Sequence, residues 1–214
     1  IAVSDYMRSV QDGIREWVTQ DFVSLGTDGW GMSDTRGALR RHFLVDAQSI
    51  TVQTLAMLAR RGEFDAAIKD FDQVLRLEPQ NAVAFNNRGI AYRNRGMVDR
   101  AIEDFGEAIK IDANYAVAYY NRGTVYYDKA DQDRAIADFD AALKLNSTYV
   151  AALHDRGVAH YDKHDYDRAI ADFDAAVKLN PAYAPAFNDR GIAYAAKGDI
   201  DRALVDFAQA ALMV

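Results

Sequence analysis

The sequence predicts a mainly α-helical protein, a right-handed solenoid of about five helical hairpins preceded by a short α/β segment. Three observations lead to this prediction. Residue types recur every 34 positions along most of the chain, and within each copy the recurring residues lie at helical spacing. Residues 1–62 show no such repeat and contain no lysine, which indicates that the chain has two parts.

The repeat defines the helical part. Each copy reads as two short helices joined by a turn, as in FNNRGIAYRNRGMVDRAIEDFGEAIKID, where Gly96 separates two helical patterns. One helix pair cannot bury its own apolar face, so the copies are expected to stack into a solenoid. The recurring residues are Gly89, Gly123, Gly157 and Gly191; Ala67, Ala101, Ala135, Ala169 and Ala203; and Phe71, Phe105, Phe139, Phe173 and Phe207.

These columns are typical of the tetratricopeptide repeat, and residues 48–214 resemble that family. Pro79 and Pro181 end second helices as the family pattern has it, while Ala130 and His164 replace the usual turn glycine. The predicted units are 48–81, 82–115, 116–149, 150–183 and 184–214, and residues 1–47 form a separate segment.

Two charged columns accompany the packing columns. An arginine precedes each repeated glycine, and an aspartate recurs in each second helix, so we predict a ladder of ion pairs within or between units. The alternative is that both columns face water, where ion pairs contribute only about 0–1 kcal/mol. The columns are Arg88, Arg122, Arg156 and Arg190, and Asp70, Asp104, Asp138, Asp172 and Asp206.

Residues 1–63 have a different pattern, in which short apolar runs flank a helix. The segments AVSDYMRSVQDGIREWV, SLGTDGWGMSDTRGALRRHFLVDAQSI and LAMLARRGE are similar to the C-terminal end of the homodimeric thiamine-dependent pyruvate dehydrogenase, the decarboxylating component of its complex. The resemblance implies the last part of a transketolase-type C-terminal domain. In that family thiamine diphosphate, magnesium and the main catalytic groups belong to the two preceding domains. We therefore predict no catalytic residue and no cofactor in this sequence.

Histidines are the candidate metal ligands, since the chain has no cysteine. His160 and His164 are four residues apart and would share a helix face, and His154 lies nearby. His160, however, occupies a column otherwise filled by tyrosine, so we interpret it as a packing residue and predict no metal site.

The resemblance to tetratricopeptide repeats also implies a function. In that family the first helix of each unit lines a concave groove that binds a peptide, so we expect a non-catalytic scaffold for a peptide or protein segment. The alternative is the C-terminal tail of a thiamine-dependent pyruvate dehydrogenase with the repeats as a docking arm. The positions that align with the groove are Asn86, Ile90, Arg93, Asn94, Tyr120, Thr124, Tyr127, Asp128, His154, Val158, Tyr161, Asp162, Asn188 and Ile192.

Composition restricts the partners. The net charge is −7, and all of it lies beyond residue 62, which argues against nucleic acid as a ligand. No apolar run approaches the roughly 20 residues that span a bilayer, so we expect no membrane partner. The absence of cysteine suits a cytoplasmic location, and a first residue Ile1 without a signal peptide suggests a fragment or a processed chain. The last unit ends in AALMV without a covering helix, which predicts possible self-association.

Overall fold

A computed structural model of the protein describes residues 64–213, and every regular element within that range is an α-helix. One helix is followed by four helix pairs, which confirms a mainly α, helical-hairpin solenoid. The α/β segment predicted for residues 1–47 lies outside the described residues. The helices are α1 (Phe64–Leu77), α2 (Ala82–Asn94), α3 (Val98–Ile111), α4 (Ala116–Asp128), α5 (Gln132–Leu145), α6 (Val150–Asp162), α7 (Tyr166–Leu179), α8 (Ala184–Ala196) and α9 (Ile200–Ala211).

The turn inside each hairpin uses one residue with positive φ. Gly96 and Gly198 adopt φ of 73° and 84°, and Ala130 and His164 adopt 59° and 62° at the equivalent positions. The replacement of glycine therefore leaves the turn unchanged. A side chain in this left-handed conformation costs roughly 1–2 kcal/mol, which the packing of the two helices must offset.

Glycine and phenylalanine form the contact between the two helices of a pair. The rings of Phe105, Phe139 and Phe173 are completely or almost completely buried. A Cβ atom added at Gly157 would lie 2.7 Å from Cε1 of Phe173, closer than van der Waals contact allows. The small residue thus lets the ring lie against the backbone of the first helix, which explains why the two columns recur together.

Successive pairs stack so that each helix contacts its neighbours in sequence. We call α2, α4, α6 and α8 the first helices and the others the second helices. Successive first helices also contact one another, whereas among the described helices the second helices contact only first helices. The first helices therefore lie closer together than the second ones, as on the inner side of a curved stack. Within residues 64–213 each helix is too short or too polar to cross a lipid bilayer.

Candidate functional site

The neighbouring first helices present one continuous surface. The second, fifth, sixth, ninth, twelfth and thirteenth residues of each first helix fall within an arc of about 120°, because an α-helix advances about 100° per residue. We call this surface the first-helix face. In α2 it consists of Val83, Asn86, Asn87, Ile90, Arg93 and Asn94, and the other first helices contribute the residues 34, 68 and 102 positions later.

Hydrogen bonds between side chains cross the first-helix face at a constant sequence separation of 35 residues. Because the repeat is 34 residues long, each bond joins a residue of one first helix to the residue just after its equivalent in the next first helix. The network therefore ties neighbouring units together. Sequence reasoning missed this network, although the polar residues at both ends were visible as columns. The donor–acceptor pairs are Asn121–Asn86 (2.8 Å), Arg93–Asp128 (2.8 Å), Tyr120–Asp155 (2.9 Å), Tyr127–Asp162 (2.7 Å) and His154–Asp189 (2.8 Å).

His154 is the histidine of this network, and its surroundings shift its pKa. Its Nε2 lies 2.8 Å from Asp189 and its Nδ1 lies 3.0 Å from Asp155. The ring packs edge-on against Tyr183, with centroids 5.4 Å apart, and near Phe173. Burial lowers the pKa of His154, but the hydrogen bonds to the two carboxylates outweigh burial and raise the pKa to about 9. The imidazole therefore carries a positive charge at neutral pH and donates from both nitrogens.

Tyr120 occupies the equivalent position one unit earlier. Its ring packs against Tyr149 and Phe139, with centroids 4.8 and 6.0 Å away. Burial is the main cause that raises the pKa of Tyr120, and the neighbouring Asp155 raises it further, so the phenol stays neutral and donates. Tyr120 and His154 thus occupy equivalent pockets in successive units. Both donate to an aspartate, Tyr120 as a neutral phenol and His154 as a charged imidazolium.

The predicted groove residues all lie on first helices, but with different exposure. Asn86 and Thr124 are buried, at 2% and 8% exposure, and the Thr124 hydroxyl donates to the carbonyl of Asn121 in its own helix. Asn86 also accepts a hydrogen bond from Asn121 of the next unit, so both side chains are engaged within the solenoid. The half-buried residues are Ile90, Arg93, Tyr120, Tyr127, His154, Val158 and Tyr161, and the exposed ones are Asn94, Asp128, Asp162, Asn188 and Ile192.

The predicted arginine–aspartate ladder is present, and it lies inside each unit. Each arginine binds the aspartate sixteen residues later through two hydrogen bonds, as in Arg88 with Asp104, both at 2.7 Å. The side chain of Asp104 is 7% exposed and that of Arg88 17%, so the alternative that both face water is wrong. For Asp70 the equivalent partner position, residue 54, lies outside the described residues. The other pairs are Arg122–Asp138, Arg156–Asp172 and Arg190–Asp206.

A second carboxylate joins three of these arginines from the preceding unit. Arg88 contacts Asp72 at 2.6 Å, and Arg156 and Arg190 make the equivalent contact. At Arg122 the equivalent position is Gly106, where an added Cβ would meet an arginine nitrogen at 3.8 Å. The second and third units are therefore joined by one ion pair fewer at this point.

The basic residue that ends each first helix pairs with an aspartate in the first turn of the preceding second helix. Lys129 contacts Asp99 at 2.7 Å, and Arg95 contacts Asp65 at 2.8 Å. The equivalent ion pairs recur in the following units and join each unit to the one before it. The remaining pairs are Lys163–Asp133 and Lys197–Asp167.

The three candidate metal ligands have other surroundings. His160 is 7% exposed, and burial lowers its pKa, as for a packing residue. His164 lies in the exposed turn beside the Tyr166 hydroxyl, 3.0 Å away, and His154 is bound by two carboxylates. In residues 64–213 no group of three or more histidine or acidic side chains is arranged to hold a metal ion.

Comparison with solved structures supports the fold. The crystal structure of MamA is 26% identical, with a TM-score of 0.69, over 79% of this chain and 95% of that chain. YrrB, described as a TPR protein with an unusual peptide-binding site, is 22% identical, with a TM-score of 0.64, over 85% of this chain and 93% of that chain. A MamA fragment from Desulfovibrio magneticus RS-1 is 21% identical with a TM-score of 0.69, over 78% of this chain and 96% of that chain.

Comparison with curated proteins identifies a different relationship for part of the chain. The pyruvate dehydrogenase E1 component of Mycolicibacterium smegmatis is 57% identical over 68 residues, which is 32% of this chain and 7% of that protein. The same component of Escherichia coli K12 is 45% identical over 69 residues, 32% of this chain and 8% of that protein. The chain thus spans less than a tenth of the length of these relatives.

Family models match most of the remaining sequence. A model described as TPR repeat matches residues 57–96 and 91–129, and two models described as tetratricopeptide repeat match residues 116–149 and 154–212. These matches together cover more than half of the sequence. The stacked helix pairs and the recurring glycine–phenylalanine contact agree with them. The chain therefore belongs to the tetratricopeptide repeat family.

Proposed function

We propose that this protein is a non-catalytic, cytoplasmic scaffold that binds a peptide or protein segment along the first-helix face. One observation carries the proposal: four consecutive first helices form a continuous surface whose residues differ from unit to unit, while the packing columns repeat. Packing within a unit requires only the repeated columns, so the variable side chains that stay exposed, such as Asn94, Asp162 and Ile192, are available to a ligand. The similarity in fold to YrrB, described as having a peptide-binding site, agrees with this proposal.

The proposal is tested by selecting peptides from a random-sequence library on the immobilised full-length chain. Tyr127 and Ile192 are suitable residues to replace, because both lie on the first-helix face and neither fills the core; Ile192 is 38% exposed. Tyr120 is less suitable because its ring packs against two other aromatic rings. We expect Tyr127→Ala combined with Ile192→Ala to weaken binding of the selected peptides at least about tenfold, since tyrosine at an interface often contributes more than 1 kcal/mol.

A matched control uses exposed leucines of the second helices. Leu145 and Leu179 are 39% and 43% exposed, close to the value for Ile192. Leu145→Ala combined with Leu179→Ala removes similar apolar surface away from the first-helix face and should leave peptide binding unchanged. Equal binding by both double variants, or no selected peptide at all, would count against the proposal.

A second candidate function follows from the match to pyruvate dehydrogenase. We propose as the alternative that the sequence is the C-terminal tail of a thiamine-dependent pyruvate dehydrogenase, with the repeats as a docking arm. The 57% identity over 68 residues supports this alternative. The intact mass of the native polypeptide, captured with an antibody against the repeats, decides between them. A mass near 23.8 kDa would exclude the alternative, and a mass several times larger would support it.

Self-association is a further proposal for the end of the solenoid. Ile200 and Leu204 of the last second helix are 54% and 60% exposed. The equivalent Val98 and Ile102 pack against an apolar cluster that includes Val125 of the next first helix. Sedimentation at several protein concentrations tests whether a second copy covers this face, and a concentration-independent monomer would exclude it.

A further inference from the structure

The first-helix face combines apolar and acidic side chains. Val83 and Val117 are 45% and 39% exposed at the second position of their helices, and Ile192 is 38% exposed at the ninth position of α8. These residues lie on the same side of the helices as the polar network, because all fall within the arc defined above. A ligand across this face therefore meets exposed valines near the N-terminal ends of α2 and α4 and exposed carboxylates near the C-terminal ends of α4 and α6.

Negative charge predominates on this face. Four carboxylates belong to it, and the opposing charges are the guanidinium of Arg93 and the imidazolium of His154. Four carboxylates against two cations leave a net charge of −2 on this face; Asp128 is paired with Arg93, whereas Asp162 accepts from the neutral hydroxyl of Tyr127. The carboxylates are Asp128, Asp155, Asp162 and Asp189.

Other basic residues of the first helices do not neutralise this face. Arg122 and its equivalents point between the helices of their own unit and bind buried aspartates. Lys129 and its equivalents end the first helices and bind aspartates of second helices, as with Asp99. These arginines and lysines are thus paired away from the first-helix face, where Asp128 stays partly exposed beside Arg93 and Asp162 stays exposed.

We infer that the occupant of the first-helix face is an extended cationic peptide segment, in which apolar residues separate the lysine or arginine side chains. This inference rests on the proposed function. Neighbouring first helices are in contact, which places their axes roughly 8–10 Å apart. An extended chain in the polyproline II conformation advances about 3.1 Å per residue with three residues per turn, so cationic side chains three residues apart face the same side and can meet carboxylates of successive units.

The chain itself supplies substitutions that test the charge. Asn94 occupies the column of Asp128 and Asp162, so Asp128→Asn combined with Asp162→Asn introduces a residue that this column already carries. The matched control is Glu103→Gln combined with Asp201→Asn, which removes two exposed carboxylates from second helices. Both double variants change the net charge equally. Asp128→Asn also removes the ion pair with Arg93, but such a pair at the surface contributes only about 0–1 kcal/mol, so the fold should stay intact.

The probe is the same random-sequence peptide library, selected on the full-length chain, followed by titration with a fluorescein-labelled copy of the most enriched peptide. We expect enrichment of lysine and arginine about three positions apart. Asp128→Asn with Asp162→Asn should weaken binding about tenfold at roughly 50 mM salt, where the Debye length exceeds 10 Å, and the control pair should not. The difference should shrink as salt is added.

Each outcome separates this inference from the proposed function. Selected peptides that depend on Tyr127 and Ile192 but are neutral or acidic would overturn the cationic assignment and leave the peptide-binding face intact. Basic peptides whose binding falls equally in the control pair would also overturn the assignment, because net charge rather than this face would attract them. A library without any peptide that depends on Tyr127 and Ile192 would overturn the proposed function itself.

Discussion

Replacing His154 with tyrosine should remove a pH dependence of stability while it preserves the packing between the fourth and fifth units. The imidazole is 12% exposed and bound by Asp155 and Asp189. A tyrosine, Tyr120, already occupies the equivalent position one unit earlier. It has equivalent aromatic neighbours and a hydrogen bond to the equivalent carboxylate. We therefore expect the hydroxyl of the variant to donate to Asp189.

The magnitude follows from the pKa of the histidine. The pKa rises from its ordinary 6.5 to about 9 in the folded chain. One pH unit corresponds to about 1.4 kcal/mol, so protonation of His154 stabilises the fold by about 3 kcal/mol. Because the folded pKa lies above the unfolded one, this stabilisation is complete below pH 6.5 and is lost as the pH rises to about 9. Tyrosine titrates above this window, so its contribution should stay constant.

The assay is urea unfolding followed by circular dichroism between about pH 6 and 9. Wild type should lose about 3 kcal/mol of unfolding free energy, relative to His154→Tyr, across this window. His160→Tyr is the matched control, since tyrosine fills that column in Tyr92, Tyr126 and Tyr194. Burial lowers the pKa of His160, so its effect is a loss of stability as the pH falls below 6.5, and the control should keep the wild-type slope. Equal slopes for wild type and His154→Tyr would refute the reasoning.

Three further substitutions test the packing and the ion pairs. Gly106→Asp should give Arg122 the second carboxylate that the other arginines of its column have. Its free energy of unfolding should exceed that of the uncharged control Gly106→Asn by about 0.5–1 kcal/mol. A difference that does not change with salt would argue against an ion pair. Gly157→Ala should lower the melting temperature, with a cost of about 1–3 kcal/mol, since its Cβ would lie 2.7 Å from the Phe173 ring; a higher melting temperature would mean that the ring moves freely. Arg122→Ala should cost about 3 kcal/mol in urea unfolding, because it leaves Asp138 buried without its charge partner, and an unchanged midpoint would contradict the buried ladder.

The period of 34 residues predicted most of the solenoid. Identical residues at a fixed spacing must have equivalent neighbours in a stack of equal units. The recurrence of one glycine column and one phenylalanine column therefore indicated that the two residues meet in every unit. The same logic predicted that the arginine and aspartate columns pair, as Arg156 and Asp172 do at 2.5 Å. The turn at Ala130 could not be predicted from its residue type, because the packing of the two helices enforces a left-handed conformation that alanine disfavours.

The candidate binding face was predicted only in part. The sequence placed its residues on first helices, and the structure agrees. Exposure was not predictable, since Asn86 and Thr124 share the helix face with exposed residues and are nevertheless buried in the folded solenoid. The periodicity of one helix defines which side faces inward, but the next helix determines how deeply each position is covered.

The sequence therefore determined the unit, its two helices and the columns that hold them together, because these features are repeated and local. The tertiary structure alone decided the register between units, in which a first-helix residue meets the position 35 residues later. That register depends on the shift and rotation of one helix pair relative to the next, which arises from the packing of all contacts at once. It brings Asp189 of the next unit to His154, which also contacts Asp155 of its own helix, whereas the period alone would allow other neighbours.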